Sequence, residues 1–159
     1  MSQTITLTQS GDYTYTLDQE GSELEVVGAF WLKGRQSLDL KLTLIHSAPH
    51  TSAKISLKAV VEGNAVAHIH GTVIVEKSAP QTNSFLEERV LLLSSQARAS
   101  AIPNLEIKTN DVKCSHAATV GQIDAEQLFY LESRGLSKNQ ATRLIAKGFL
   151  DTINNSPPR

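Results

Sequence analysis

One cysteine and one histidine stand two residues apart near the end of the chain, and their types are those of metal ligands. Cys114 is the only cysteine among 159 residues, and His116 follows it closely. In an extended segment, side chains at i and i+2 lie on the same face, so the thiol and the imidazole would stand side by side. Zinc, or the iron of a cluster, usually takes about four ligands. The pair therefore predicts half of a metal site, which a partner chain or sulfide would complete.

Two other interpretations of the pair stay open. A free cysteine is often a small buried hydrophobe, which would make Cys114 structural. Alternatively, Cys114 attacks as a nucleophile with His116 as its base, although neighbours at i and i+2 leave little room for a substrate. The polar residues Lys113 and Ser115 argue against a dry core, and the charge of Lys113 or of a protonated His116 would favour the thiolate. No phosphate loop, nucleophile elbow or zinc-protease motif accompanies the pair.

The other four histidines form a second candidate cluster. His68 and His70 share one face of a predicted strand, and His46 and His50 would lie one coil earlier in a solenoid. Four imidazoles are able to bind Zn²⁺ or Ni²⁺. Solvated or loop-stabilising histidines are the more frequent case, and the proline between His46 and His50 indicates a turn. We therefore expect no metal there.

Composition and charge exclude several classes of protein. Lys and Arg number 15 against 16 Asp and Glu, a formal net charge of -1, and the charges are scattered. We therefore expect neither a nucleic-acid surface nor a membrane-seeking one. No apolar run reaches the ~20 residues that span a bilayer, and the first residues lack the pattern of a signal peptide. A single cysteine allows no internal disulfide, which favours a reducing cytoplasm.

Short alternating segments rich in Thr, Val, Ile and Leu run from Ile5 to about Lys108. The clearest predicted strands are residues 4–8, 13–17, 24–27, 38–44, 55–61 and 72–76. Four leucines of one segment would face the same side: Leu38, Leu40, Leu42 and Leu44. The turns between the strands are rich in Gly, Pro, Asn and Ser. The spacing is regular without a sequence repeat, so it is compatible with a β-sandwich and with a solenoid of stacked coils.

Two short helices follow the strands, and capping residues mark their ends. Asp124 is a good N-cap for the first helix, and Gly135 ends it. Ser137 and Gln140 form a capping box for the second helix, and Gly148 is its predicted end. One apolar face of the second helix comprises Ala141, Leu144, Ile145 and Phe149. A solenoid exposes its last coil, so helices in this place would serve as its cap.

Four motifs in the last third of the chain carry a resemblance to a known family. They are Asp111-Val-Lys-Cys-Ser-His-x-Ala-Thr-Val-Gly, Glu126-Gln-Leu-Phe-Tyr-Leu131, Ser133-Arg-Gly135 and Gly148-Phe149. Together they resemble the C-terminal end of the SufB/SufD family of iron–sulfur cluster assembly scaffolds. The resemblance implies a mainly β fold, a right-handed parallel β-helix (solenoid) capped by two short C-terminal α-helices. We place the β-helix core at residues 1–120, the helical segment at 121–153 and a disordered tail at 154–159.

The resemblance implies a non-enzymatic scaffold subunit of the SUF complex. Cys114 and His116 would be its cluster-assembly residues, with the iron–sulfur cluster held transiently at a subunit interface and none bound stably by the isolated chain. In the SufB branch, an acidic residue follows the histidine directly and a cysteine lies on an earlier strand near Glu88. This chain has Ala117 after the histidine and Glu87-Glu88-Arg89 on the earlier strand, so it resembles the SufD branch. We expect it to lack the N-terminal region of the family.

The resemblance also implies partners. A SufC-like ABC ATPase would dock on the helical segment, and a SufB-like or identical chain would pair through the β-helix, so homodimer and heterodimer stay open. The predicted docking residues for the ATPase are Leu128, Leu131, Leu144 and Phe149. The alternative function is a plain β-solenoid interaction module, and a Cys-His thiol enzyme is a further alternative.

Overall fold

Ten strands and two helices make up residues 2–151, the part of the chain that the computed structural model describes. The strands are β1 Ser2–Leu7, β2 Gly11–Leu17, β3 Glu23–Leu32, β4 Ser37–His46, β5 Ser52–Val61, β6 Val66–Val75, β7 Thr82–Leu92, β8 Arg98–Ala101, β9 Asn104–Ile107 and β10 Val112–Gln122. The helices are α1 Ala125–Ser133 and α2 Lys138–Asp151. The predicted tail at 154–159 and the end of the predicted helical segment lie outside the described residues.

The strands form two parallel sheets with the core between them. Sheet A has the order β1-β3-β5-β7-β10, and sheet B has the order β2-β4-β6-β8, with β9 also pairing with β6. Consecutive strands of the first coils alternate between the sheets, and each pairs in parallel with its counterpart one coil on. The backbone therefore winds as a β-solenoid. The predicted fold class, a mainly β solenoid with two C-terminal helices, is confirmed, and the β-sandwich is excluded.

Alternating aliphatic side chains fill the space between the sheets. The four leucines predicted to face one side of β4 are all buried: Leu38, Leu40, Leu42 and Leu44. From sheet A, the register partners Val26, Ile55 and Leu86 stack against one another and are also buried. Each buried CH₂ group contributes about 0.8 kcal/mol, so these columns of side chains hold successive coils together.

A sequence repeat marks one row of turns, so the expectation that no repeat exists is wrong. The segment Ser47-Ala-Pro-His-Thr51 recurs 31 residues later as Ser78-Ala-Pro-Gln-Thr82. The two turns stack, because the His50 N–H donates to the Pro80 carbonyl oxygen at 3.0 Å. His50 and Gln81 occupy the same place in their turns and both have positive φ, 57° and 58°. The repeat is confined to the turns and does not extend into the strands.

Capping residues place the starts of both helices where the sequence predicts them. The Asp124 carboxylate accepts a hydrogen bond from the Glu126 N–H at 2.9 Å, and Gly135 follows α1 with a φ of 97°. Ser137 and Gln140 exchange hydrogen bonds of 2.9 and 3.2 Å between backbone N–H and side-chain oxygen. This exchange is the predicted capping box.

Helix α2 runs past Gly148 to Asp151, so the predicted end at Gly148 is wrong. A glycine inside a helix costs about 1 kcal/mol relative to alanine. Beyond it, however, Phe149 and Leu150 pack against residues of sheet A. That apolar contact stabilises the last turn and outweighs the cost of the glycine.

Helix α2 lies on the outer face of sheet A and makes a second, smaller core there. Val60 and Leu91 of the sheet and Ala146 of the helix are buried in it. Leu144, which belongs to the predicted apolar face of this helix, is 53% exposed. Neither described helix is long and apolar enough to cross a membrane.

A polar cluster fastens α2 to the solenoid. Both guanidinium NH groups of Arg143 donate to the carboxylate of Glu62, at 3.0 and 3.2 Å, and Trp31 Nε1 donates to the same carboxylate at 3.1 Å. The guanidinium also lies 5.3 Å from the centre of the Trp31 ring, within the range of a cation–π contact. Helix α1 has no buried residue of its own, so the helical pair is held chiefly through α2.

Candidate metal centre

Strand β10 carries Cys114 and His116 at the edge of sheet A. It pairs in parallel with β7, with Cys114 beside Ser84 and His116 beside Leu86. Its other edge has no strand partner among residues 2–151. The backbone N–H and C=O groups on such an edge are free to pair with a strand of another chain.

Cys114 and His116 lie on the inner face of β10. Their neighbours Ser84 and Leu86 are buried between the sheets, and side chains in register on parallel strands point the same way. Cys114 is half-buried and packs against the core, whereas His116 is exposed. The structure therefore brings both predicted donors to one face at the open end of the solenoid.

Burial raises the pKa of the Cys114 thiol, while a hydrogen bond from the backbone of Ser84 acts in the opposite direction. The pKa of Cys114 is therefore raised, and not lowered as the neighbouring Lys113 and His116 suggested, because burial is the largest cause of the shift. Lys113 is exposed and lies on the other face of β10. At neutral pH the thiol is protonated, and it has to lose that proton when it binds a metal.

Apolar side chains of the last coil are left uncovered. Ile102 is 51% exposed, and Ile107 and Val120 are each 43% exposed. Val120 lies in register with Val90, which is buried one coil earlier. Several exposed apolar side chains on one coil are typical of an interface.

The pair supplies two donors and not a complete site. Within the described part of the chain, no group of three or more His, Cys, Asp or Glu side chains is placed to hold a metal ion. Zinc and cluster iron usually take about four ligands, of which thiolate and imidazole are two common types. The chemistry of Cys114 and His116 therefore fits half of such a site.

His46, one of the four histidines of the candidate cluster, is a buried structural residue. Its Nδ1 lies 2.8 Å from Thr51 Oγ1, and its Nε2 lies 3.1 Å from Ser84 Oγ. The Thr51 hydroxyl donates to the Ala48 carbonyl oxygen, so we assign the ring proton to Nδ1 and the role of acceptor to Nε2. Both ring nitrogens are thus used inside the fold.

Burial lowers the pKa of His46 from 6.5 to about 4. The unfolded chain therefore binds this proton first, and the contribution of His46 to stability is lost as the pH falls from about 6.5 towards 4. We expect the difference in free energy of unfolding between wild type and His46→Gln to shrink by about 3 kcal/mol between about pH 7 and pH 4. Urea unfolding at a series of pH values measures this difference. A constant difference would show that His46 is not held neutral.

The other three histidines each lie beside a polar side chain of the fold. His68 Nδ1 lies 2.8 Å from Ser100 Oγ, and His70 Nε2 lies 2.8 Å from Asn104 Nδ2. His50 sits in a turn with its Nε2 3.8 Å from a Glu20 oxygen. Since no metal-holding group forms among residues 2–151, the four histidines do not make the second cluster that their sequence positions suggest.

The predicted docking residues of the helices line two grooves. A groove of about 610 Å³ between the helices and strands β7 and β10 is lined in part by Leu131, Leu144 and Phe149. Leu128 instead lines a groove of about 250 Å³ near the end of β7. The structure therefore divides the four residues between two neighbouring depressions.

Sequence reasoning missed the most exposed apolar side chains of the helical pair. Phe129 is 72% exposed and Tyr130 is 55% exposed, beside the 53% of Leu144. The sequence pattern could have indicated this exposure. The helical period that turns Leu128 and Leu131 inward places Phe129 and Tyr130 on the solvent side. Large aromatic residues in such a place are typical of a contact surface.

The fold and the donor pair define a class: a parallel β-solenoid that presents a thiol and an imidazole at its open end. Residues 6–149 match the family model described as "SUF system FeS cluster assembly, SufBD core domain". The chain belongs to the SufB/SufD family of iron–sulfur cluster assembly proteins.

Relatives from several bacteria share this part of the sequence. The chain is 36% identical over 143 residues to an iron–sulfur cluster assembly SufBD family protein of Synechocystis. The aligned region covers 90% of this chain and 32% of the relative. It is 36% identical over 148 residues to the iron–sulfur cluster assembly protein SufD of Bacillus subtilis, and the alignment covers 93% of this chain and 32% of SufD. A SufBD family protein of Mycobacterium leprae is 36% identical over 141 residues, and the alignment covers 84% of this chain and 36% of the relative. The chain thus spans about a third of the length of these curated relatives.

Proposed function

We propose that the chain is a SufD-like, non-enzymatic scaffold subunit that holds an iron–sulfur cluster transiently between itself and a second chain. The observation that carries this proposal is the placement of Cys114 and His116 on the accessible inner face of an edge strand. Similarity to a relative named SufD supports the branch. A reducing cytoplasm, which keeps a lone thiol free, is the compartment that suits this role.

The free edge of β10 offers a route for pairing with a SufB-like or identical chain. If two β10 strands pair antiparallel around Ser115, Cys114 of one chain lies opposite the partner's His116, on the same face. Directly opposed Cβ atoms in such a pair are about 4.5–5.5 Å apart. Two half-sites would then give four donors around one space, and the exposed Ile102 and Val120 would be covered at the same time.

The state of the thiol favours a scaffold over a thiol enzyme. A catalytic cysteine is usually held as a thiolate at neutral pH. Burial instead raises the pKa of Cys114. A protonated thiol that is deprotonated on metal binding suits a ligand, and an isolated chain with half a site would not retain a cluster.

We further propose that a SufC-like ABC ATPase docks on the helical pair. Strand β10 ends at Gln122 and α1 begins at Ala125, so a force applied to α1 acts directly on the strand that carries the donors. The docking surface would comprise the predicted residues Leu128, Leu131, Leu144 and Phe149, and the exposed Phe129 and Tyr130. Opening and closing of the interface around Cys114 and His116 would follow the movement of the ATPase.

Substitution of the exposed face of the helical pair should uncouple the ATPase without unfolding the chain. We expect Phe129→Ser combined with Leu144→Ser to weaken ATPase binding at least about tenfold, since loss of central apolar contacts typically costs 1 kcal/mol or more each. Phe85→Ser is the matched control, because Phe85 is also exposed but lies on β7 beside Ser115, away from the helices. Calorimetric titration measures the affinities, and equal weakening by both changes would contradict the docking surface.

Co-purification with a SufC-type ATPase and a SufB-type chain, followed by native mass measurement, tests the assembly as a whole. We expect a complex that contains all three chains and that loses the ATPase when the helical face is changed. A chain that stays monomeric and binds neither partner nor iron would favour the plain β-solenoid interaction module.

A further inference from the structure

A buried carboxyl group lies inside the last coils of the solenoid. Glu88 on β7 is fully buried, and its Oε1 accepts a hydrogen bond from the Gly71 N–H of β6 at 2.6 Å. Its other oxygen, Oε2, has no hydrogen-bond partner among the described residues. A buried polar atom without a hydrogen-bond partner costs free energy, so the Glu88 carboxyl group is a destabilising element in the core.

The fold makes room for this carboxyl group. A Cβ on Gly71 would lie 2.6 Å from Oε1 of Glu88 and 2.9 Å from the methyl groups of Leu86, so a larger residue there would displace these side chains. The ladder between β6 and the last coil is interrupted at Ile102 and Pro103, between β8 and β9. Proline has no N–H to give to a ladder. The Ile102 N–H donates to the Ile69 carbonyl oxygen of β6 at 3.0 Å, and the Ile102 backbone also acts on the carboxyl group of Glu88. The group thus sits at the seam between the last two coils.

The strand neighbours of Glu88 in sheet A are apolar. Its register neighbours are Leu57 on β5 and Ala118 on β10, and the Gly71 N–H supplies its hydrogen bond from sheet B. No charged side chain of the described chain contributes to its ionisation. Burial raises the pKa of Glu88 to about 7, and the backbones of Gly71 and Ile102 oppose the rise. Near neutral pH the neutral and ionised forms therefore coexist.

We propose that Glu88 is a proton-controlled lock on the last coil, holding β8, β9 and β10 closed when neutral and loosening them when ionised. An ionised carboxylate in an apolar core gains free energy by reaching water. Towards the open end of the solenoid, the neighbour in register is the small and exposed Ala118. Opening along this path would move the coil that presents Cys114 and His116. The lock is a property of the fold, and it does not depend on the proposed scaffold function.

Amide hydrogen exchange at several pH values tests the lock in the full chain. If opening returns Glu88 to an ordinary carboxyl pKa, protection factors in residues 98–107 and 112–122 should fall about twentyfold between about pH 5.5 and pH 7.5. Protection in β3 should stay constant over the same range. The fall should disappear in Glu88→Gln and persist in Glu87→Gln, since Glu87 lies on the opposite face of β7.

A titration of the unmodified protein keeps the test independent of whether the variant folds. The carbon-13 signal of the Glu88 carboxyl group should titrate with a midpoint near 7 and move together with the protection of the last coil. A midpoint below about 5 would overturn the proposal. Protection factors that are independent of pH in the wild type, or a full fall that survives in Glu88→Gln, would overturn it as well.

Discussion

Replacing Leu42 with alanine should lower the free energy of unfolding by about 2–5 kcal/mol. Leu42 is 0% exposed, and its strand, β4, is held on both sides by parallel partners in sheet B. The backbone therefore has little freedom to collapse into the space that the lost side chain leaves, and a cavity remains between the coils. Because domains are stable by only about 5–15 kcal/mol in total, the loss should be plain in a urea unfolding curve.

The matched control removes the same atoms from the surface. Leu144→Ala, at a site that is 53% exposed on α2, should change the free energy of unfolding by no more than about 0.5 kcal/mol. Losses of equal size for the two variants would show that the space between the sheets is not the main source of stability. Such a result would contradict the assignment of the main core to the buried leucines between the sheets.

Cys114→Ser should abolish the visible absorbance of a cluster assembled anaerobically from iron and sulfide on the chain and its partner. A serine hydroxyl is nearly the same size as the thiol but is a poor ligand for a soft site, so pairing persists while ligation is lost. Cys114 is the only cysteine of the chain, so no other thiol of this chain can replace it as a ligand. Absorption spectroscopy of the purified complex reads the result directly.

A double variant separates the position of the thiol from its mere presence. Cys114→Ser with Ser115→Cys moves the sulfur by one residue, to the outer face of β10. We expect no recovery of the absorbance, because the sulfur then lies on the opposite side of the sheet from His116. An unchanged chromophore in Cys114→Ser, or a restored one in the double variant, would exclude Cys114 as a cluster ligand.

Features fixed by neighbours in the chain were predictable from the sequence. The alternation of Leu38, Leu40, Leu42 and Leu44 shows which face of β4 is buried, because side chains in a strand change sides at every residue. The Asp124 cap and the exchange between Ser137 and Gln140 depend on residues within one turn of helix. The placement of Cys114 and His116 on one face follows from the same strand period.

Features fixed by contacts between distant segments were not predictable in this way. Alternation is the same in a sandwich and in a solenoid, so the coil topology came from the family resemblance and not from the pattern. Helix α2 passes Gly148 because of apolar contacts with strands far away in sequence. The rise in the pKa of Cys114 depends on burial against β7, and the environment of Glu88 depends on Gly71 across the core. Neither could be read from adjacent residues.

The most direct test is anaerobic native mass spectrometry of the chain after incubation with iron and sulfide, alone and together with a SufB-type chain. We expect the mass of a cluster only on species that contain two polypeptides, with single chains free of it, because each chain supplies two donors where about four are needed. A cluster retained by single chains, and lost from them in Cys114→Ser, would contradict the claim that a second chain completes the site.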